Sequence, residues 1–136
     1  MRKNKFKKFK VVKALIFHKG KFLLLRKEDF VGGEWEIPGG RKLPGEKDEE
    51  ALKREVFEET GLRIKILRKL NQWKVKIKEK SLLLEGKTYL CKKEKGRIKL
   101  SKEHQEYKWL SKKEIKNLKI PLWLKNSLTK LSRSLR

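Results

Sequence analysis

The chain has 136 residues, 37% of them hydrophobic, with 40 Lys plus Arg against 17 Asp plus Glu and a formal net charge of +23. That length fits one domain with a modest core; a lone thiol, Cys91, excludes a disulfide framework or a Cys-rich zinc site; and no apolar run approaches the roughly 18 to 20 residues of a membrane span. Met1 to Lys10 is basic with no apolar h-region behind it, so no secretory signal is expected and a cytoplasmic domain is.

Residues 1 to 9 read as a basic, flexible arm. Val11 to Phe17 and Phe22 to Leu25 are apolar runs separated by His18-Lys19-Gly20-Lys21, the pattern of a β-hairpin; His18 falls in the turn and fits no ligand pattern. Trp35 to Ile37 is a short extended piece stopped by a Pro38-Gly39-Gly40 loop. Asp48 to Thr60 are good helix formers, with Asp48 as N-cap and Gly61 as the stop. Leu62 to Lys78 alternates in part and reads as strand. Leu82 to Leu84 and Thr88 to Cys91 read as a hairpin around Glu85-Gly86, with Cys91 a small core residue. Tyr107 to Leu110 reads as a final strand. Ser111 and Glu114 have the spacing of a capping box, which predicts a helix over Lys112 to Leu118. Pro121 opens a last helix to about Leu131, with Leu122, Leu124, Leu128 and Leu131 as its apolar residues. Strands, one central helix, more strands and then helices make a single α/β domain.

The distribution of charge says more than its total. Lysine dominates the excess, 31 Lys against 9 Arg, which favours anionic partners but is also what compositional bias or a high growth temperature produces. Against that background seven of the 17 carboxylates, Glu46, Asp48, Glu49, Glu50, Glu55, Glu58 and Glu59, fall within fourteen residues. On a helix at about 100° per residue, with Ala51 set at zero, Glu55, Glu58 and Glu59 share an arc of about 100°. Ala51 lies in the middle of that arc, where a small side chain leaves room for a ligand, and Leu52 and Val56 lie beside it to pack on a sheet. Carboxylates so close repel one another, and hard divalent cations such as Mg²⁺ prefer such oxygens. A magnesium cluster gives the repulsion a purpose.

The wider spacing is specific. Gly40, five residues, Glu46, seven residues, then Arg54-Glu55-Val56-Phe57-Glu58-Glu59-Thr60-Gly61-Leu62 matches G-x5-E-x7-R-E-U-x-E-E-x-G-U, U aliphatic, at all nine constrained positions. Chance agreement is of order 10⁻⁶ for this composition. The segment resembles the signature of the Nudix (MutT-like) hydrolases. That resemblance implies a Nudix-type α/β/α sandwich with a mixed sheet and a loop-helix-loop motif. It also implies Mg²⁺-dependent hydrolysis (with Mn²⁺ as a substitute) of a nucleoside diphosphate linked to some group X, releasing a nucleoside monophosphate and phosphorylated X. Carried over, Glu58 and Glu59 would be Mg²⁺ ligands, Glu55 a further ligand or the base, and the Gly40 carbonyl part of the shell. Arg54 and Glu46 would hold loop to helix, with Gly39, Gly40 and Gly61 as bends.

Outside the signature, Trp35 either packs under the loop or lines the base pocket. Phe30, Trp73 and Tyr89 are either base-stacking aromatics or core. The segment Leu100-Ser101-Lys102-Glu103-His104-Gln105-Glu106-Tyr107-Lys108-Trp109-Leu110 resembles that of asymmetric diadenosine tetraphosphate hydrolases. It would make Glu103 a further ligand or base, with Glu106 the fallback, and His104, read as a loop residue, a phosphate contact. Those hydrolases usually carry Lys where this chain has Gly39. The base is left open between Glu55, Glu103 and the metal alone. Nucleoside triphosphates, dinucleoside polyphosphates and nucleotide sugars all remain substrates to consider.

Two rival readings stand beside this one. The basic ends, Met1 to Lys10 and Lys125 to Arg136, would suit an RNA 5′-pyrophosphohydrolase or serve only for solubility. A non-catalytic nucleotide- or RNA-binding module would keep the fold, although it has no need of Glu55, Glu58 and Glu59 together. The sequence leaves monomer and homodimer equally open.

Overall fold

The computed structural model describes residues 5–27 and 34–134. Strand β1 (Lys7–His18) runs through the middle of a seven-stranded mixed sheet. It turns at Lys19-Gly20, with φ of 51° and 79°, into β2 (Lys21–Lys27). Positive φ at both central residues is the geometry that matches the twist of a tight hairpin. β3 (Glu34–Glu36) pairs with β2, and β4 (Gly39–Arg41) crosses over to pair with β1. Helix α1 (Asp48–Thr60) follows, then β5 (Arg63–Ile77), a 3-10 turn (Lys78–Lys80), β6 (Leu82–Lys95) and β7 (His104–Leu110). Helices α2 (Lys112–Lys116) and α3 (Leu122–Ser134) complete the described chain. The order is β3-β2-β1-β6-β5, with β7 also on β2; β6 lies parallel to β1 and the other pairings are antiparallel.

Alternation along β1 builds two cores. Val12, Ala14 and Ile16 join Ala51, Leu52 and Val56 of α1, whereas Leu15 joins Leu90, Leu124, Leu128 and Leu131 beneath α3. The result is the expected α/β/α sandwich. Leu124, Leu128 and Leu131 recur at helical spacing and are buried, so α3 is held by its apolar stripe. The Ser111–Glu114 capping box also forms: the Glu114 N–H donates to Ser111 Oγ (3.1 Å) and the Ser111 N–H to Glu114 Oε1 (2.8 Å). Helix α2 stops at Lys116, two residues before the expected end.

Local expectations change where long-range pairing decides. Lys7 to Phe9 are strand rather than arm, because they run in register with Leu82 to Leu84 of β6. At the other end the basic stretch is helix through Ser134, anchored by Leu128 and Leu131. Gly39 and Gly40 are strand rather than loop, paired with Lys13 and Val12. No hairpin forms around Glu85-Gly86: β6 runs straight through between β1 and β5. Gly86 is small because Trp73 lies over it, and a Cβ there would collide with the indole. Lys47, not Asp48, is the N-cap, and its N–H donates to Glu50 Oε1 (2.9 Å). Ala51 faces the core and leaves no space on the acidic face. Leu122 is 71% exposed in the first turn of α3, turned away from the stripe that carries the other leucines.

Candidate active site

Arg54 is the centre of the signature. Its Nε donates to Glu46 Oε2 (2.6 Å) and Nη2 to Glu46 Oε1 (2.9 Å), a two-point grip between α1 and the loop before it. Nη1 donates to Glu55 Oε2 (2.8 Å) and Glu58 Oε1 (3.1 Å), and Nη2 also to the Arg41 carbonyl (3.0 Å). Glu46 further accepts from the Leu43 N–H (2.7 Å). These bonds, Arg54 first, hold the Glu46 carboxyl down at about 2. One guanidinium thus collects three of the signature carboxylates and ties them to β4.

Glu59 is held differently. Its Oε1 accepts the Gly39 N–H (2.9 Å), and burial pushes its carboxyl up to about 7 despite the opposing charge of Lys13. Gly39 has φ of +146° and presses on the backbone of Val12 and Lys13, so no side chain fits there. Gly40 meets Glu55: a Cβ would overlap its carboxylate. Gly61, with φ of +76°, closes α1 by donating its N–H to the Phe57 carbonyl (2.9 Å). Glu58 and Glu59 therefore sit in the last turn of a helix that carries no basic residue there. The negative end of the helix dipole opposes carboxylates at that place, so a cation is the natural partner.

A cleft of about 700 Å³ opens over this ground, lined by Gly40, Glu55, Glu59, Glu103, Glu36 and Lys13 on its polar side. Among the described residues no three acidic or metal-ligating groups yet converge on one point; Arg54 holds Glu55 and Glu58, and the Gly39 N–H holds Glu59. The donor set nevertheless fits a hard divalent ion: oxygens only, one of them on a buried carboxyl with its acidity suppressed, beside a glycine backbone. Glu58 is 56% exposed and is not among the groups that line the cleft. A second hollow of about 660 Å³ beside the start of α1, lined among others by Lys10, Lys42, Asp48 and Lys87, holds none of the signature carboxylates.

Beyond the signature, the expectations divide. Glu103 lines the cleft, while Glu106 pairs with Arg26 (3.1 Å) outside it. His104 is not a loop residue: it opens β7 and is 6% exposed. Its Nε2 lies 3.2 Å from Glu36 Oε2 and its Nδ1 3.4 Å from Ser101 Oγ, so its ring supports the turn bearing Glu103 rather than reaching outward. Glu36 also takes Lys13 Nζ (3.2 Å). Burial would raise its carboxyl, but Lys13 and His104 outweigh that and hold it at about 2. Tyr89 packs against the core on the α1 side, outside the lining of the cleft, and its hydroxyl donates to Asp48 Oδ2 (2.6 Å). Trp35 and Trp73 both line the cleft. Phe30 lies outside the described residues.

Sequence reasoning missed Lys13, Glu36 and Trp123. Trp123 stacks on Trp73 with centroids 4.4 Å apart and planes 13° from parallel. It sits one residue from Leu124, off the leucine stripe, and no local pattern singled it out. Glu36 lies within the short extended piece Trp35 to Ile37, but its partners come from β1 and β7, distant in sequence.

Carboxylates gathered on a strand-loop-helix beside an open cleft make this the candidate active site. The family follows from comparison with known proteins: a model of the NUDIX domain matches residues 7–131, so the chain belongs to the Nudix family and is a Nudix pyrophosphohydrolase. It is 30% identical over 118 residues to nucleoside triphosphatase NudI of Escherichia coli K12, covering 77% of this chain and 83% of that protein. To the putative 8-oxo-dGTP diphosphatase YtkD of Bacillus subtilis it is 50% identical over 64 residues, 47% of this chain but only 39% of that one. The MutT protein of Methanosarcina mazei superimposes with a TM-score of 0.77 at 30% identity, over 95% and 96% of the two chains. Nudix hydrolases in general use divalent metals. Among the described residues no helix is long and apolar enough to cross a membrane.

Proposed function

We propose that the chain is a Mg²⁺-dependent hydrolase of a nucleoside diphosphate linked to X, with nucleoside triphosphates as the leading class. The products are a nucleoside monophosphate and phosphorylated X. The observation that carries this reading is the placing of Glu55 and Glu59 in the cleft, Glu55 held by Arg54 together with Glu46 and Glu58, and Glu59 held by the Gly39 N–H. The names of NudI and YtkD, a nucleoside triphosphatase and a putative 8-oxo-dGTP diphosphatase, support the substrate class.

Glu58, Glu59 and the Gly40 carbonyl would hold Mg²⁺, with Glu55 and Glu103 completing the set; Mn²⁺ would substitute. When bound, the ion neutralises phosphate charge and acidifies water. The chain's own residues supply the rest. Arg54 holds Glu55 and Glu58 beside each other, and Glu46 keeps Arg54 in place. The base for the attacking water would be Glu55, seated against Gly40, with Glu103, which lines the same cleft, as the other candidate. Lys13, on the cleft floor, offers a fixed charge to the phosphate chain. The closely held carboxylates repel a polyanion until the cation arrives, which makes turnover strictly metal-dependent.

The test is a product assay on nucleoside triphosphates, 8-oxo-dGTP, diadenosine tetraphosphate, ADP-ribose and 5′-triphosphorylated RNA, each with Mg²⁺ and with EDTA. Release of a nucleoside monophosphate only with Mg²⁺ supports the reading. Binding without turnover across the panel would favour a non-catalytic module.

A further inference from the structure

The far half of the cleft differs in kind from its carboxylate edge. There the lining is Trp73, Val75 and Ile77 of β5, Leu82 and Leu84 of β6, and Trp123 of α3. In a chain that is 42% charged, these apolar groups are only half-buried, because α3 covers Leu15, Leu90 and Leu70 and leaves this strip open. Among the described residues that β5, β6 and α3 and the turns beside them give to the cleft, Lys80 is the one charged side chain and none is a hydrogen-bond acceptor; the carboxylates of the cleft, Glu36 among them, come from the other elements. Trp73 Nε1 is already spent on Thr88 Oγ1 (3.0 Å).

The register fixes where this strip lies. Trp73, Gly86 and Val11 form one cross-strand row, and the next residue of β1, Val12, pairs with Gly40. Adjacent rows point to opposite faces of the sheet, so the tryptophans share the face of Val11 while Gly40 faces Glu55 on the other, and the one cleft takes its lining from both. The strip continues to the row of Ile77, Leu82 and Lys7, four residues beyond Val11 or about 13 Å. Glycine at position 86 lets Trp73 lie down on the sheet, and Trp123 stacks on Trp73, so the pair is a two-layer aromatic block rooted in the backbone. Lys13 Nζ lies 5.9 Å from the Trp123 ring on the phosphate side. The occupant this combination suits has a flat apolar face joined to a polyanion.

We propose that Trp123, backed by Trp73, is a stacking platform that holds the substrate's nucleobase by its face and leaves its hydrogen-bonding edge unread. This rests on the nucleotide pyrophosphohydrolase reading above and adds a specificity to it. A pocket without acceptors separates closely related ligands by about 10- to 200-fold at most, whereas one built to hydrogen-bond a substrate group reaches about 10⁴. Guanine and 8-oxoguanine share their stacking faces and differ at an edge, so the platform treats them alike, within about tenfold. Purines bind better than pyrimidines because they stack over more area.

The experiment uses the full chain and two readouts. Affinities for dGMP, 8-oxo-dGMP, dAMP and dCMP, products that need no further cleavage, are measured by calorimetry with Mg²⁺ present. The kcat/KM values are then compared for dGTP and 8-oxo-dGTP. Trp123→Ala should weaken all four monophosphates together, by roughly 5- to 100-fold, as loss of base stacking does. Trp123→Phe, which keeps a ring on Trp73 and so guards against a loosened α3, should keep most of the affinity. The proposal is overturned if the wild type separates guanine from 8-oxoguanine by more than about 100-fold, if Trp123→Ala binds as the wild type does, or if folded wild type binds none of the four. Base-blind binding that needs Trp123, with no Mg²⁺-dependent turnover, would uphold the platform and refute the hydrolase reading instead.

Discussion

Arg54 grips Glu46 with two nitrogens, Nε and Nη2, at 2.6 and 2.9 Å, and spends its third on Glu55 and Glu58. A planar five-donor fork can do this and an ammonium cannot. Arg54→Lys should therefore lower Mg²⁺ affinity and kcat/KM by about 10- to 100-fold, the range seen when groups that orient metal ligands are lost. Glu46→Gln should act in the same direction and more weakly. Because Arg54 holds the Glu46 carboxyl at about 2, below its ordinary value, this contribution is present above about pH 4.5 and fades as pH falls through about 2. Mg²⁺ titrations followed by turnover, with thermal melts at several pH values, check both statements.

Glu59 should make metal binding pH-dependent. With no cation its buried carboxyl titrates at about 7, so Mg²⁺ must displace a proton at lower pH. Affinity should rise about tenfold per pH unit below 7 and level off above it. The raised pKa also opposes folding of the ionised form: stability present below about pH 4.5 is lost as pH climbs through about 7. Glu59→Gln should then stabilise the metal-free protein at pH 8 by about 2–3 kcal/mol while slowing turnover. A melt in EDTA showing no gain over the wild type would contradict the burial argument.

Gly40 and Gly39 should fail in different ways. Gly40→Ala puts a methyl group into the Glu55 carboxylate, so activity should drop by about 100-fold or more with the fold retained. Gly39→Ala meets main chain and an unfavourable φ of +146°, so it should destabilise the protein by several kcal/mol as well. Circular dichroism melts beside kinetics separate the two.

The Lys13–Glu36–His104 chain should support the turn bearing Glu103. Glu36→Gln should cost about 2–3 kcal/mol at pH 7, since its carboxyl is held at about 2 in the folded chain, and the difference should vanish near pH 2. His104→Gln should reduce kcat more than it raises KM, because it displaces Glu103 rather than a binding contact. A Glu103→Gln background should then show no further effect of His104→Gln.

Much of this was legible in the chain itself. The signature spacing put Arg54, Glu55, Glu58 and Glu59 on one helix with Glu46 in the loop before it, and the structure brings them to one another, since an i, i+4 pattern and its flanking glycines are local facts. The β1–β2 hairpin and the Ser111–Glu114 cap were equally local. What stayed hidden depends on residues far apart in sequence. Gly86 looked like a turn because glycine breaks a strand pattern, and only the approach of Trp73 explains it. His104 looked exposed until Glu36, 68 residues away, supplied its partner. Trp123 escaped notice because its importance comes from Trp73 and not from its own helix.

The most direct measurement follows dGTP hydrolysis by the wild type, Glu58→Gln and Glu59→Gln, in Mg²⁺ and in EDTA, with products resolved by ³¹P NMR. Carboxylates of α1 that hold the catalytic ion predict dGMP and pyrophosphate from the wild type in Mg²⁺ alone. Both variants should be slower by about 10³-fold while still folded. Turnover that persists in EDTA, or that survives the loss of Glu59, would contradict that assignment.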